Sequence, residues 1–285
     1  MISGRTILIA HLGHPTEGFR APMIYNPWFE KAGVDAVVVP MGVQAADYPA
    51  ALATLARVTN LHGALVTMPH KVSTLSLVAE ASPAARIAGA CNALLKRPDG
   101  SWFGDQFDGA GFVRGVQRRG RALEGVRAIV AGAGGVGSAI AAALAAAGAA
   151  QLMLFDSNAA AATSLRERLL AHYPALRVET GSNDPAGFEL VVNATPLGMR
   201  DGDPLPFDPS RIASSALVGD VVMQSTMTPF LCAARGRGCE TQPGIDMLFE
   251  MIPAYLEFFG FPSATSDDLR AAAALPEHGT RPIQA

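Results

Sequence analysis

The chain has 285 residues, 49% of them hydrophobic, which is enough for one large domain or two ordinary domains with sizeable cores. Its formal net charge of −3 gives no reason to expect nucleic acid or an anionic membrane as a partner. Three scattered cysteines argue against a disulfide framework or a zinc site, and no apolar run reaches the length of a membrane span, so we expect a cytoplasmic protein.

The first hundred residues alternate between predicted strands and helices. Apolar runs predict strands over 6–10, 34–41, 63–67 and 91–96, with helices over 21–32, 48–59 and from about Pro69 onward. This alternation is typical of an open α/β domain. His11 and His14 lie in the polar stretch after the first strand. With no third ligand near them, we interpret both as loop residues and expect no metal site.

The centre of the chain carries a glycine-rich turn between a predicted strand (127–131) and a predicted helix (138–147). The turn reads Gly132-Ala133-Gly134-Gly135-Val136-Gly137, which fits G-x-G-x-x-G. The first glycine permits a tight turn, the second lets the backbone approach a pyrophosphate, and the third lets the helix pack close to the strand. The free N–H groups at the helix start would face a phosphate. We predict a dinucleotide site here; the alternative is a glycine-rich turn in another doubly wound fold.

Asp156 ends the next predicted strand, about twenty residues after the glycines, where the dinucleotide pattern places an acidic residue. A carboxylate there accepts hydrogen bonds from a ribose and repels a 2′-phosphate. Because its neighbours Ser157 and Asn158 carry no positive charge, the sequence favours NAD over NADP. Asp156 could also serve as the N-cap of a helix beginning near Ala159.

The rest of the chain continues the α/β pattern and ends in a strongly apolar helix. Strands are expected near Val178 and over 189–193 and 216–222, and helices over 108–119, 159–172, 229–235 and 244–259. Asp108 is a plausible N-cap for the first of these helices. From Thr265 the chain contains charges, two prolines and a glycine, so we expect that segment to fray.

The segment Val66-Thr67-Met68-Pro69-His70-Lys71 resembles the V-T-x-P-x-K segment of the shikimate/quinate dehydrogenase family. Further segments resemble the family in the same order, and the resemblance runs from about Ile7 to Phe259. They are Gly89-Ala90-Cys91-Asn92-Ala93, Asp108-Gly109-Ala110-Gly111, Asn193-Ala194-Thr195-Pro196-Leu197-Gly198-Met199, Asp220 with Thr228-Pro229, and Gly244-Ile245-Asp246-Met247-Leu248.

The resemblance implies an α/β protein with two domains and a cleft between them. Residues 1–108, completed by the C-terminal helix at 246–262, would form an open α/β substrate domain, residues 109–245 a Rossmann-type domain, and 263–285 a tail. The implied reaction is hydride transfer between a secondary alcohol of a small cyclic substrate and the nicotinamide. By motif, the further cofactor residues would be Asn193, Thr195, Pro196, Val221, Gly244 and Met247.

Lys71 and Asp108 are the catalytic pair that the resemblance implies, and the chemistry agrees. Oxidation of an alcohol by hydride loss releases a proton, which a lysine can accept while a neighbouring carboxylate orients it. The alternatives are a solvated lysine and an aspartate that only caps a helix. Thr67 and Asn92 are the implied substrate contacts that this chain retains.

The chain departs from the family at several substrate contacts. Phe19 and Ala21 replace two serines that hold the substrate carboxylate, Leu65 replaces an asparagine, Met251 a glutamine, and Tyr25 a histidine. Polar substrate groups buried without partners would bind poorly. Either the substrate is less polar on this side, or Arg20 supplies a bidentate carboxylate contact.

Two other functions remain open from the sequence. One is an enzyme of the methylene-tetrahydrofolate dehydrogenase type, which has a related architecture; the other is a nucleotide-sensing regulator without turnover. Retention of Lys71 and Asp108 favours the dehydrogenase. We expect a cyclic polyol or hydroxy acid as substrate and a monomer or homodimer as the assembly.

Overall fold

The N-terminal part of the protein is a mixed six-stranded sheet with helices. The computed structural model describes residues 2–223 and 227–275, and within them the sheet has the order β2-β1-β3-β5-β6-β4. The first three strands are parallel, whereas β5 is antiparallel to both β3 and β6. Its elements are β1 (Ile7–Gly13), α1 (Pro22–Ala32), β2 (Ala36–Gly42), α2 (Tyr48–Leu55), β3 (Leu61–Val66), α3 (Lys71–Thr74), β4 (Glu80–Ala81), α4 (Pro83–Ala88), β5 (Ala93–Lys96) and β6 (Trp102–Asp105).

A second six-stranded sheet, parallel throughout, follows with the order β12-β11-β10-β7-β8-β9. Read from β9, this is the doubly wound order of dinucleotide-binding domains, whose ligand crevice lies where the order reverses, here between β7 and β10. The predicted α/β fold with a Rossmann-type domain is therefore confirmed. Its elements are α5 (Asp108–Arg118), β7 (Arg127–Ala131), α6 (Gly135–Ala146), β8 (Gln151–Phe155), α7 (Ala159–His172), β9 (Arg177–Thr180), β10 (Leu190–Asn193), β11 (Leu217–Asp220), α8 (Pro229–Gly236) and β12 (Glu240–Gln242), with the last two helices α9 (Gly244–Phe258) and α10 (Ser266–Ala272).

Helix α9 leaves the second sheet and packs on the first. Its Leu248, Ile252 and Leu256 are buried in one apolar cluster with Ile9 of β1 and Tyr25 of α1. The same helix also packs along α5. The carboxyl ends of β1 and β3 therefore face the glycine-rich turn across a cleft, which is where the predicted site residues meet.

The segment after Phe259 differs from the prediction that it frays from Thr265. Thr265 and Asp268 form a reciprocal capping box, and α10 buries Leu269 in the apolar cluster beside α1 and α9. Capping and one buried leucine stabilise this short helix, so the expectation of fraying is wrong for 265–272. The remainder of the predicted tail, 276–285, lies outside the described residues.

Two predicted caps also differ. Phe107, not Asp108, is the N-cap of α5, and Asn158, not Asp156, caps α7 by accepting a hydrogen bond from the Ala160 N–H. In both cases the aspartate is engaged elsewhere, as described below. Across residues 2–223 and 227–275, no helix combines the length and apolar character needed to span a membrane.

Candidate active site

Lys71 and Asp108 form an ion pair at the inner end of the cleft. Lys71 begins α3, directly after the loop that follows β3, and Asp108 begins α5. The Lys71 Nζ donates to Asp108 Oδ2 at 2.6 Å, and the side chains are 12% and 1% exposed. Low solvent access strengthens such a charge-assisted hydrogen bond. The backbone N–H of Asp108 donates to Gln106 Oε1 at 2.9 Å, which fixes the start of α5.

The predicted glycine-rich turn lies beside this pair. A Cβ added at Gly137 would lie 1.9 Å from Gly132 O, so only glycine lets α6 pack this close to β7. A Cβ at Gly134 would meet nothing within 4 Å, which leaves open space above the turn. A Cβ at Gly135 would lie 3.0 Å from Lys71 Cβ. The start of α6 is therefore in direct reach of Lys71.

Three adjoining spaces connect the two halves of the site. The first is the groove at the glycine-rich turn where the cofactor is predicted, called the cofactor groove below, and its lining includes Gly132, Gly134, Gly135, Val136, Asp156, Thr195 and Pro196. The cleft next to it is lined by Val136, Thr195, Pro196, Val221 and Met247 from one side and by Arg20, Thr67 and Lys71 from the other. The inner cavity is lined by His11, Phe19, Arg20, Ala21, Tyr25, Leu65, Thr67, Lys71, Asp108, Met223, Leu248, Met251 and Tyr255.

Nearly all the predicted substrate residues thus line the inner cavity. Asn92 does not; it lies directly behind, fully buried, with its Oδ1 accepting from the Phe107 N–H at 2.9 Å. Its Nδ2 is buried and has no hydrogen-bond partner within the described chain. An orphaned buried amide N–H is uncommon in folded proteins.

Asn193 and Gly244 support the cofactor groove from behind. The Asn193 amide donates to Leu197 O and Asp220 Oδ1 and accepts from the N–H and hydroxyl of Thr195, so its hydrogen-bonding capacity is filled within the protein. It therefore shapes the loop after β10. A Cβ at Gly244 would lie 2.7 Å from Val221 O, so glycine allows α9 to begin against the end of β11.

Several cavity residues were outside the predicted substrate site or misplaced by the sequence. Met223, Leu248 and Tyr255 line the cavity, although none of them was predicted there. His11, interpreted above as a loop residue, belongs to β1, which extends to Gly13 because both β2 and β3 pair with its last residues. Burial, and then the charge of Lys71, lowers the pKa of His11 from 6.5 to about 3, so its imidazole is neutral at physiological pH.

Comparison with known proteins gives one family. A family model described as the shikimate dehydrogenase substrate binding domain matches residues 12–94. The shikimate dehydrogenase (NADP(+)) of Acidiphilium cryptum (strain JF-5) is 35% identical over 275 residues, covering 96% of this chain and 98% of the relative. Further curated relatives between 30% and 38% identical have the same name.

Solved structures match over the same extent. Shikimate 5-dehydrogenase from Thermus thermophilus in complex with NADP(H) and shikimate aligns with a TM-score of 0.83 at 26% identity, covering 94% of this chain and 98% of that one. The ligand-free form of 5-ketofructose reductase of Gluconobacter sp. strain CHM43 aligns with a TM-score of 0.83 at 25% identity, covering 95% and 98%.

The prediction that NAD is preferred over NADP is wrong, because the curated relatives are named as NADP(+)-dependent enzymes and a similar structure binds NADP(H). The structure explains why Asp156 misled the prediction. Its Oδ2 accepts from the Ala133 N–H at 2.6 Å and its Oδ1 from the Asn158 N–H at 2.8 Å. Both carboxylate oxygens therefore bind the protein's own backbone, so the presence of Asp156 does not indicate whether the ribose carries a 2′-hydroxyl or a 2′-phosphate.

Proposed function

The chain belongs to the shikimate dehydrogenase family, and we propose that it catalyses reversible hydride transfer between a ring alcohol of a shikimate-like substrate and NADP. The observation that carries this proposal is the 2.6 Å Lys71–Asp108 ion pair, which lines one cavity with the substrate loops and adjoins the glycine-rich turn. A base beside the reacting alcohol and a dinucleotide groove next to it are what this reaction requires.

The groove fits a dinucleotide phosphate. The open space at Gly134, the tight packing at Gly137 and the twelve-residue helix α6 beginning at Gly135 place free N–H groups and a positive helix end at one point. Asp156 anchors the turn through the Ala133 N–H. When bound, the nicotinamide accepts or returns the hydride, and the protein supplies binding and orientation.

Lys71 and Asp108 supply the proton transfer in this proposal. As the C–H bond breaks and the carbonyl forms, the hydroxyl proton passes to the hydrogen-bonded Lys71–Asp108 pair, so that the alcohol loses one hydride and one proton. Asp108 accepts a hydrogen bond from the ammonium and keeps it directed at the substrate oxygen. In the reverse direction the ammonium returns the proton to the carbonyl oxygen.

The substrate carboxylate is assigned to Arg20. Arg20 is half-buried and lines both the inner cavity and the cleft, and its side chain makes no ion pair or hydrogen bond with any residue in the described ranges. Phe19 and Ala21 flank it where the family has serine hydroxyls. An unpaired guanidinium can bind a carboxylate with two parallel hydrogen bonds, which replaces the two lost contacts.

The reaction is tested by measuring NADP+ reduction with shikimate and with quinate. Lys71→Ala should lower the turnover number about 10²–10⁴-fold, since proton transfer is typically worth that much, and should leave NADP affinity unchanged. Lys31→Ala, on the exposed end of α1, is the matched control and should behave as the parent protein. Near-normal turnover in Lys71→Ala would refute the proposed role of this residue.

The carboxylate assignment has its own test. Arg20→Ala should raise the KM for shikimate at least tenfold, an order-of-magnitude expectation for a lost charged contact. Restoring hydroxyls in the Phe19→Ser/Ala21→Ser pair should recover part of the affinity in the Arg20→Ala background. If the parent enzyme turns over shikimate and Arg20→Ala leaves the KM unchanged, the carboxylate assignment is contradicted, whereas the proposed reaction is not.

A further inference from the structure

Two residues that line the inner cavity carry buried polar atoms that the proposed reaction does not use. The Tyr25 hydroxyl and His11 Nδ1 have no hydrogen-bond partner among residues 2–223 and 227–275, and the two residues are 1% and 7% exposed. Both side chains line the cavity together with Lys71 and Asp108. Because an unpaired buried hydroxyl or imidazole destabilises the folded state, each such atom calls for a ligand or a structural reason.

The other tyrosine of the cavity shows the contrast. The Tyr255 hydroxyl donates to the backbone carbonyl of Asn92 at 3.0 Å, so its donor is already used. Tyr25 lies on α1 in the same apolar cluster and lines the cavity, yet its buried hydroxyl has no hydrogen-bond partner among the described residues. Packing alone would be served equally well by phenylalanine at that position.

Phe19 closes the cavity over His11. The two rings stack with centroids 4.0 Å apart and planes 27° from parallel. Phe19 reaches this position because residue 13 is glycine: a Cβ there would lie 2.8 Å from Phe19 Cζ. The stacking covers one face of the imidazole and leaves its edge, which carries the ring nitrogens, as the hydrogen-bonding surface.

Both groups are uncharged around neutral pH. Burial lowers the pKa of His11 to about 3, with a further contribution from Lys71, and burial raises the pKa of Tyr25 well above its usual value of 10. A carboxylate would gain no ionic attraction from either. A neutral phenol and a neutral imidazole together offer donors and an acceptor, which match an alcohol oxygen and its hydrogen.

We propose that Tyr25 and His11 bind a second hydroxyl group of the ring substrate, distinct from the one that is oxidised beside Lys71. This assignment rests on the proposed function and adds a specificity determinant to it. The site then recognises three substrate groups: the reacting alcohol at Lys71, the carboxylate at Arg20 and a further hydroxyl at the Tyr25–His11 pair. Neither residue takes part in proton or hydride transfer.

Tyr25→Phe removes only the unpaired hydroxyl. We expect the KM for shikimate to rise about tenfold, as for a lost uncharged hydrogen bond, with the turnover number within about threefold of the parent. The thermal midpoint should stay the same or rise, since the free protein loses an unsatisfied group. Opposite effects on binding and stability are what a purely structural tyrosine would not produce.

Tyr48→Phe is the matched control. The Tyr48 hydroxyl is also buried, but it forms a 2.7 Å hydrogen bond with Thr74 Oγ1 and does not line the inner cavity. We expect this variant to lower the thermal midpoint and leave the KM unchanged. A Tyr25→Phe variant that resembles Tyr48→Phe in both measurements would overturn the proposal.

Substrate analogues identify the hydroxyl. A set of shikimate analogues is used, each of which lacks one ring hydroxyl. For the analogue that lacks the hydroxyl bound by Tyr25, the parent and Tyr25→Phe should have the same affinity, because neither protein can form that hydrogen bond. An affinity difference that persists at the same size for every analogue would also overturn the assignment.

Calorimetric binding of shikimate and quinate without cofactor separates this assignment from the proposed reaction. A Kd that depends on Tyr25, combined with no turnover, would refute the reaction and support the hydroxyl site. If turnover depends on Lys71 but Tyr25→Phe changes neither the Kd nor the KM, the hydroxyl site alone is refuted. Failure of both compounds to bind the parent protein would overturn this proposal together with the substrate class.

Discussion

His11 makes the stability of the N-terminal part of the protein depend on pH. Its pKa falls from 6.5 in an unfolded chain to about 3 in the folded state, mainly through burial. Between these two values the unfolded state binds more protons, so stability rises with pH through this window and is lost as the pH falls from 6.5 toward 3. Full stability is present above pH 6.5.

The size of the effect follows from the two pKa values. Protonation of the unfolded state alone lowers the free energy of unfolding by about 1.4 kcal/mol per pH unit well below 6.5, which gives about 2 kcal/mol of loss at pH 5. His11→Leu removes the titrating group while keeping an apolar side chain of similar size against Phe19. We expect its loss of stability between pH 8 and pH 5 to be about 2 kcal/mol smaller than that of the parent.

Urea unfolding followed by tryptophan fluorescence measures this difference. The two tryptophans, Trp28 and Trp102, both lie in the N-terminal part of the protein, so the fluorescence reports on the part that contains His11. His70, whose pKa is also lowered, is present in both proteins and cancels in the comparison. Tyr25→Phe perturbs the same cavity without a group that titrates below pH 8, and its curve should run parallel to the parent. If the free energy of unfolding of His11→Leu and of the parent depends on pH in the same way, the inference that His11 is buried and neutral is refuted.

Three further predictions test the cofactor groove and its support. Gly137→Ala should severely destabilise or unfold the protein, because its Cβ would lie 1.9 Å from a backbone oxygen. Gly134→Ala should fold normally but bind NADP more weakly in calorimetry. Equal stability of the two variants would contradict this prediction. Asp156→Ala removes the oxygens that accept from the Ala133 and Asn158 N–H groups, so it should loosen the glycine-rich turn and weaken NADP binding by about three- to tenfold, and an unchanged Kd would contradict this anchoring role. Asp220→Ala should lower the free energy of unfolding by about 2–4 kcal/mol in chemical denaturation, because it leaves three buried donors unpaired, and a loss below about 1 kcal/mol would show that the loops rearrange to satisfy them.

The glycine-rich turn was predictable because its chemistry depends on residues that are close in sequence. Gly132 and Gly137 are required by one turn and the helix after it, and Gly134 leaves open space above that turn, as the spacing indicates. The helix over 159–172 was likewise predicted at its observed bounds. Short elements that depend on distant partners were missed: β4 exists because it pairs with β6, and α10 because Leu269 is buried against α1 and α9.

Lys71 and Asp108 could be paired from the sequence only through the family resemblance. They lie 37 positions apart on different helices, and no periodicity connects them. Asp156 shows the opposite failure, since it occupies the expected position while its oxygens bind the backbone of Ala133 and Asn158. Position in a motif predicts where a side chain lies, and the partners available in three dimensions determine what it does there.

The distribution of satisfied and unsatisfied polar groups divides this site into two parts. The Asn193 amide and the Tyr255 hydroxyl have protein partners, and they fix the loop after β10 and the backbone at Asn92. Arg20, Tyr25 and His11 carry polar atoms without a partner inside the described chain, and all three line the same inner cavity. Unpaired buried polar groups lower the stability of the folded protein, and a ligand that forms hydrogen bonds with them recovers this free energy on binding. Substrate discrimination should therefore depend on these three residues, because a compound that lacks a matching polar group leaves one of them without a hydrogen-bond partner.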